Sequence, residues 1–316
     1  MKKLVSLLAA LCLCAGLCST VFAEGKTIKI GATPVPHAEI LELIKDDMAE
    51  KGFPLEIVIY TDYPLVNPAV ADGSLDANYF QHHPYLDEYN NSAADDQKLT
   101  SVIDVHYEPF AIYPGKTKTL EELQDGATIS VTNDPSNEAR ALLLLESAGL
   151  IKLKEGAGLS ATILDIEENP RNLNIVEMDA AQLARTLPDV DFAVINGNFA
   201  LDAGLNPTRD AVFIEPADGE AAKTYTNLVA VRPENADSDW VKALKECLNS
   251  QKVYDYITTN EDFKGGVVPA FTVEGAEAAE AADAPEAAEA PEAAETAEAT
   301  EAPEATEAAE ATEAAE

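Results

Sequence analysis

The sequence predicts an α/β fold of two hinged lobes around a cleft, and three observations carry that expectation. Short β-rich apolar runs alternate with helical patterns along the middle of the chain, as in α/β layers built on mostly parallel sheets. Residues 24–275, which remain once an N-terminal leader and an acidic tail are set aside, number 252, a length that favours two lobes over one core. Two strand-like passages far apart in sequence, Tyr107–Tyr113 and Tyr225–Val231, are each placed to carry the chain between lobes.

Taken in order, the chain opens with Lys2 and Lys3, an uncharged apolar run from Leu4 to Cys18, and Val21-Phe22-Ala23 before Glu24. This is the layout of a secretory signal peptide over residues 1–23, and no other stretch is apolar enough to span a bilayer. The expected strands are Thr27–Ala32, Leu55–Tyr60, Thr128–Val131, Ala193–Ile195 and Leu228–Val231. After the first, Pro34 and Pro36 lead into a helix carrying Ile40, Leu41, Leu43, Ile44 and Met48 on one face, stopped near Gly52. Asp134-Pro135 opens a second helix, with Leu142–Leu145 buried and Gly149 closing it. The crossovers then assign residues 24–112 and 227–275 to one lobe and 113–226 to the other. From Glu274 an acid falls at every third position to Glu316, among Ala, Thr and three prolines. That period leaves no apolar face on a helix, so residues 276–316 read as a disordered acidic tail.

The formal net charge is −36; removing the fourteen acids that follow Gly275 leaves −22 on the rest, which disfavours nucleic acid and bare anionic membrane as partners. Three of four cysteines, Cys12, Cys14 and Cys18, lie in the leader, where each is a candidate lipid acceptor. The residues before them are Leu11, Leu13 and Leu17, whereas a lipobox ends in a small residue; Val21 and Ala23 suit ordinary signal peptidase. The remaining Cys247 has no partner for an internal disulfide and, beside Val241, Leu244 and Leu248, reads as a small buried hydrophobe.

Four segments carry chemistry. Asn133-Asp134-Pro135-Ser136-Asn137-Glu138-Ala139-Arg140 runs from a strand end into a helix, whose free N–H groups attract an anion while Arg140, one turn in, adds a bidentate grip on a carboxylate. The alternative is an ordinary cap with Arg140 solvated or paired to Glu138 or Glu146. Ala193-Val194-Ile195-Asn196-Gly197-Asn198-Phe199 is an apolar strand ending in amides, where α/β sheets meet ligands; Asn196 offers a donor and acceptors that suit an ammonium and a carboxylate together. An Asn-Gly-Asn run is also a common turn. Asp76–Tyr85 and His106–Phe110 concentrate aromatics that favour an apolar or thioether side chain, although Tyr79, Tyr85 and Phe110 also read as core.

All four histidines, His37, His82, His83 and His106, fall in the first lobe, so a metal-ion receptor is a competing reading. Adjacent His82 and His83 lack the helical i, i+4 pairing of a metal site, and no metal or cofactor is expected. A nucleophile elbow, a phosphate loop and a Cys/His pair are all missing from the sequence, which argues against an enzyme. A surface interaction protein with a vestigial cleft is the third reading.

The strings GATPVPHAEIL, DANYFQHHPYLDEY, HYEPFAIYPGK, NDPSNEARALLLLESAGLIKLK, ENPRNLNIVEMDAAQLARTLPDVDFAVINGNFAL and YTNLVAVR resemble the NlpA family of methionine-binding receptors for ABC transporters, over about Thr27 to Pro269. The resemblance implies a two-lobed periplasmic-binding-protein fold of type II, a monomer at the outer side of the cell membrane, with methionine in the cleft and a permease–ATPase complex as partner. It implies that Arg140, with Asn137 nearby, binds the α-carboxylate and that Asn196 and Asn227 hold carboxylate and ammonium. Tyr63, Phe80, His82 and His106 would line the side-chain pocket, with Tyr225 as a further candidate. L-methionine, D-methionine, a derivative and a short peptide fit these residues alike. Members of the family are usually lipoproteins, and the weak lipobox is where this sequence departs from them.

Overall fold

The computed structural model describes residues 26–216 and 220–273, so the expected leader and acidic tail lie outside it. In chain order the strands are β1 Ile28–Ala32, β2 Leu55–Ile59, β3 Ala77–His82, β4 Thr100–Tyr107, β5 Ala111–Pro114, β6 Thr128–Thr132, β7 Lys152–Leu153, β8 Ile166–Glu168, β9 Asn174–Met178, β10 Phe192–Ile195, β11 Phe213–Ile214, β12 Thr226–Val231 and β13 Val268–Pro269. They form a six-stranded sheet in the order β13-β4-β12-β3-β1-β2, a five-stranded sheet in the order β11-β5-β10-β6-β9, and the small β7-β8 pair.

All five expected strands are present, with ends moved by one or two residues. The sheets are mixed rather than mostly parallel. β1 pairs parallel with β2 and β3, and β6 parallel with β9 and β10, whereas β12 runs antiparallel to β3 and β4, and β5 antiparallel to β10 and β11. The reason lies in the crossovers. β4 hands the chain over through residues 108–110 to β5 in the other sheet, and the chain returns between Ile214 and Thr226 to enter the first sheet as β12. A strand arriving from outside the sheet is free of the right-handed βαβ crossover that keeps consecutive strands parallel. β12 lies between β4 and β3 and is buried at all six positions, which explains its unbroken apolar run Leu228–Val231.

The first expected helix is split into Glu39–Leu43 and Lys45–Glu50 at Ile44, whose φ of −98° and ψ of 3° leave the helical range and whose N–H turns to the Leu41 carbonyl. Its apolar face is still the expected one: Ile40, Leu41, Ile44 and Met48 pack with β1, Trp240 and Leu244 in one core. The second helix runs Pro135–Ser147, with Asp134 accepting from the Asn137 N–H at 3.0 Å, Pro135 in its first turn, and Gly149 beyond it at φ +70°. Leu142, Leu144 and Leu145 pack with β6 and Phe192 in a second core, while Leu143 is only partly buried. A third cluster joins Tyr63 and Phe80 to Ala111, Tyr113, Ala193, Ile195 and Phe199, and so connects the two sheets with apolar contacts. Cys247 is a buried free cysteine in the helix Asp239–Leu248.

Among the described residues, no helix is long and apolar enough to cross a membrane. Leu142→Ala, which empties a fully buried position, is expected to cost about 2–5 kcal/mol of unfolding free energy in urea titrations. Leu164→Ala, at a side chain 79% exposed, should stay within about 0.5 kcal/mol of the unmodified protein.

Candidate functional site

The strand ends and first helical turns of both sheets converge on one narrow cavity of about 10 Å³. Its walls are Tyr63, Phe80, Gln81, His82, Tyr85, Glu108, Asn137, Arg140, Asn196, Gly197, Asn198 and Asn227. Phe80, Gln81 and His82 end β3, Asn227 opens β12, Asn196 follows β10, and Asn137 and Arg140 lie in the first two turns of Pro135–Ser147. Ligands of α/β sheets commonly sit beyond such strand ends.

One end of the cavity is aromatic. Tyr63 has its ring centroid 5.6 Å from Phe80, 5.6 Å from Tyr85 and 4.8 Å from Phe199, and its hydroxyl donates to Asn198 Oδ1 at 2.5 Å. Rings tilted and edge-on at these distances form a firm apolar wall.

The other end is polar and almost wholly internally paired. Arg140 is 4% exposed, and its fork closes on Glu215, not on a solvent-facing space and not on Glu138 or Glu146. Nε donates to Glu215 Oε1 at 3.1 Å, and Nη2 bonds Glu215 Oε2 and the Glu108 carbonyl, the latter at 2.9 Å. Glu138 and Glu146 instead accept the Ile163 and Leu153 N–H groups. Among the described residues, Nη1 has no partner. The guanidinium is stacked 4.1 Å from the Tyr225 ring centroid and 4.9 Å from that of Phe110. Burial opposes its charge, but the field and hydrogen bonds of Glu215 outweigh that and raise its pKa; burial likewise opposes the Glu215 charge, and Arg140 holds it below the usual carboxylate range.

Of the nine residues predicted from sequence, seven line the cavity: Tyr63, Phe80, His82, Asn137, Arg140, Asn196 and Asn227. Tyr225 is behind the wall, stacked on Arg140 and edge-on to His82 at 5.1 Å. His106 is behind it too, fully buried, with Nδ1 receiving the Tyr79 hydroxyl at 2.6 Å and Nε2 donating to Glu108 Oε1 at 2.7 Å. His37 completes this group, bonded to Thr33 at 2.8 Å and to Asn227 Oδ1 at 3.0 Å. The ligand atoms of His37, His106 and Glu108 lie within 4.8 Å of one another, a donor set of the kind metals use that the adjacent His82-His83 pair does not provide.

Sequence reasoning left out Gln81, Tyr85, Glu108, Gly197 and Asn198, although each sits inside a segment it singled out. It left out Glu215 altogether. Both acids had a signal: Glu108-Pro109 and Glu215-Pro216 each place a carboxylate beside an apolar run where the chain leaves a strand.

Burial lowers the His37 and His82 pKa values to about 4 and that of His106 to about 3, from the ordinary 6.5. Between pH 6.5 and about 4 the unfolded chain therefore binds protons that the folded protein excludes, and stability falls as pH falls through that window. Glu108, whose carboxyl burial raises, acts in the opposite sense. Thermal melts should show stability declining from pH 7 to pH 5, with unfolding at pH 5 taking up about two protons. Glu215→Ala, which strands the buried guanidinium, is expected to cost about 3–5 kcal/mol by denaturant titration.

Residues 28–271 match the family model described as NlpA lipoprotein. The D-methionine-binding lipoprotein MetQ of Escherichia coli is 41% identical over 244 residues, 76% of this chain and 87% of that protein. The membrane lipoprotein TpN32 of Treponema pallidum is 39% identical over 256 residues, covering 81% of this chain and 92% of that one. Among solved structures, a nutrient-binding protein from Burkholderia cenocepacia bound to methionine aligns with a TM-score of 0.73 and 43% identity, over 78% of this chain and 100% of that chain. Such identity over nearly the whole length of these proteins, with a matching fold, makes the chain a member of the NlpA lipoprotein family.

Proposed function

We propose that this protein is the extracytoplasmic substrate-binding component of an ABC importer, which takes methionine into the cavity and delivers it to a membrane permease. The observation that carries the reading is the cavity itself, lined by the rings of Tyr63, Phe80 and Tyr85 and by two polar side chains each with one atom to spare, Arg140 with Nη1 and Asn196 with Oδ1. Both of those polar atoms lack a partner among the described residues, and Oδ1 is buried. A thioether packs well against rings, and an α-amino acid brings a carboxylate and an ammonium for the two atoms. The printed names of the relatives, methionine-binding in Escherichia coli and methionine-bound in Burkholderia cenocepacia, point the same way.

In this reading Arg140 greets the carboxylate through Nη1 alone, since Glu215 occupies the other edge of its fork. Asn137, Asn196 and Asn227 complete the polar end, and Tyr63, Phe80 and His82 the apolar one. His106 and Tyr225 act from behind the wall. The six-stranded sheet, with strands from Ile28 to Tyr107 and from Thr226 to Pro269, belongs to one lobe and the five-stranded sheet, with strands from Ala111 to Ile214, to the other, which moves the lobe boundaries by one or two residues; closure of the two around the ligand is the signal to the transporter. Cys12, Cys14 and Cys18 supply the candidate acceptors for a lipid anchor, in keeping with relatives named lipoproteins.

Methionine should raise the melting temperature of the protein by mass action while zinc leaves it unchanged. A zinc shift without a methionine shift would favour the His37, His106 and Glu108 cluster as a metal receptor and overturn the assignment. By calorimetry, Arg140→Ala is expected to weaken methionine binding by about 100-fold or more. Tyr63→Ala, outside the ion pair, should weaken it about 10-fold through the lost aromatic wall.

A further inference from the structure

Two covalent passages join the sheets, and side chains far from the cavity make a further join. Asn206-Pro207-Thr208 lies between β10 and β11 of the five-stranded sheet, whereas Asp262–Gly266 precedes β13 of the six-stranded one. Asn206 is 5% exposed, and the two ends of its amide serve the two sides. Oδ1 accepts the Thr208 N–H at 2.9 Å and so caps the short helix Pro207–Asp210. The atom that accepts an N–H is the oxygen, which leaves Nδ2 for the other side, where it donates to the Asp262 and Lys264 carbonyls, each at 3.1 Å. A buried amide satisfied at both ends holds a single orientation.

Glycines let the two strips approach. A Cβ on Gly265 would lie 2.3 Å from Thr208 Cγ2, and one on Gly266 would lie 3.0 Å from Pro207 Cδ; Gly265 is also at φ +68°. Each strip is anchored in its own sheet's packing. Phe263 is buried in the first core with Trp240 and Leu244, while the Val212 N–H, four residues past Thr208, donates to the Ile112 carbonyl of β5 at 2.8 Å. Leu201, in the helix Gly197–Asp202, adds an apolar contact across the same join by packing against the first core. The join lies beside the outgoing passage: β13, two residues after Gly266, pairs with Tyr107 and His106 at the end of β4. It is formed in the same arrangement that brings His82 to Asn137 and Tyr63 to Asn198 across the cavity.

We propose that Asn206, Thr208 and the Asp262–Gly266 turn form a clasp, a third and non-covalent element of the hinge, in which Asn206 is a positioning residue for ligand binding. Asn206 is not part of the cavity wall; it acts by holding the lobes in the arrangement in which the two walls meet. This rests on the reading of the protein as a two-lobed methionine receptor and goes beyond it, by making the affinity depend on a contact remote from the ligand. Loosening the clasp lowers the fraction of molecules in the binding-competent arrangement, and the apparent affinity falls by that fraction.

The test is calorimetric titration of the full chain with methionine, together with small-angle X-ray scattering in its absence and at saturation. Asn206→Ser keeps an oxygen for the helix cap and removes the donor to the Asp262 and Lys264 carbonyls. Gly265→Ala presses on Thr208 from the other lobe. Each variant is expected to bind methionine about 10-fold more weakly and to show a larger fall in radius of gyration on adding methionine than the unmodified protein. Affinity within about 2-fold of the unmodified protein in both variants would overturn the clasp and leave the methionine reading standing, even if their melting temperatures drop. A 10-fold loss of affinity with unchanged scattering would overturn it too, because the effect would then be local rather than one of lobe arrangement. Failure of the unmodified protein to bind methionine would overturn the reading on which the clasp rests.

Discussion

The Arg140–Glu215 ion pair is the constraint around which the site is built. Both groups are nearly out of water, at 4% and 9% side-chain exposure, and an isolated charge in such surroundings costs several kcal/mol. The cost is met by satisfying both ends. Glu215 receives Arg140, the Tyr107 hydroxyl and the Phe110 N–H, while Arg140 also donates to the Glu108 carbonyl and lies between the Tyr225 and Phe110 rings. These partners come from the end of β4, from the 108–110 passage between the sheets, from Pro135–Ser147 and from the segment after β11. One pair thus fixes the outgoing crossover against the start of the return one, and the cavity walls inherit their positions from it.

The asparagines illustrate a second economy. Asn137, Asn196 and Asn227 are chemically identical, yet their neighbours engage different ends: Asn137 gives Nδ2 to the Asp134 carboxylate, Asn196 gives Nδ2 to the Asn137 amide oxygen, and Asn227 has Oδ1 bonded to the His37 imidazole. The residue type alone carries no information about polarity; in the chain Asp134–Asn137–Asn196 the acceptor-only carboxylate decides it.

Much of this was legible in the sequence, and the limits have physical causes. Strands such as Phe192–Ile195 and the Leu228–Val231 part of β12 showed because buried strands are continuously apolar, and the helix from Pro135 showed because its cap, proline and closing glycine are local signals. The break at Ile44 did not, since no proline or glycine marks it. The cavity residues on strand ends were found through motif and resemblance, but the partner of Arg140 was not: Glu215 is 75 residues away, and a long-range pair leaves no periodic trace. His106 was placed one layer too far forward for a related reason. Sequence locates a residue on β4 without saying that Tyr79 and Glu108 will claim both of its nitrogens.

The position of β12 bears on the order in which the protein can assemble. Residues 226–231 form a central strand of a sheet whose other strands, apart from β13, are all in place by residue 107. Until β12 inserts, β3 and β4 have no partner on their facing edges, and the largest sheet is two incomplete pieces. A chain produced from its N-terminus thus cannot close its first hydrophobic core until more than two thirds of its length is available, which makes folding a late and non-local event. The same wiring that joins the two sheets twice leaves β3 and β4 without their shared partner for most of the chain's synthesis.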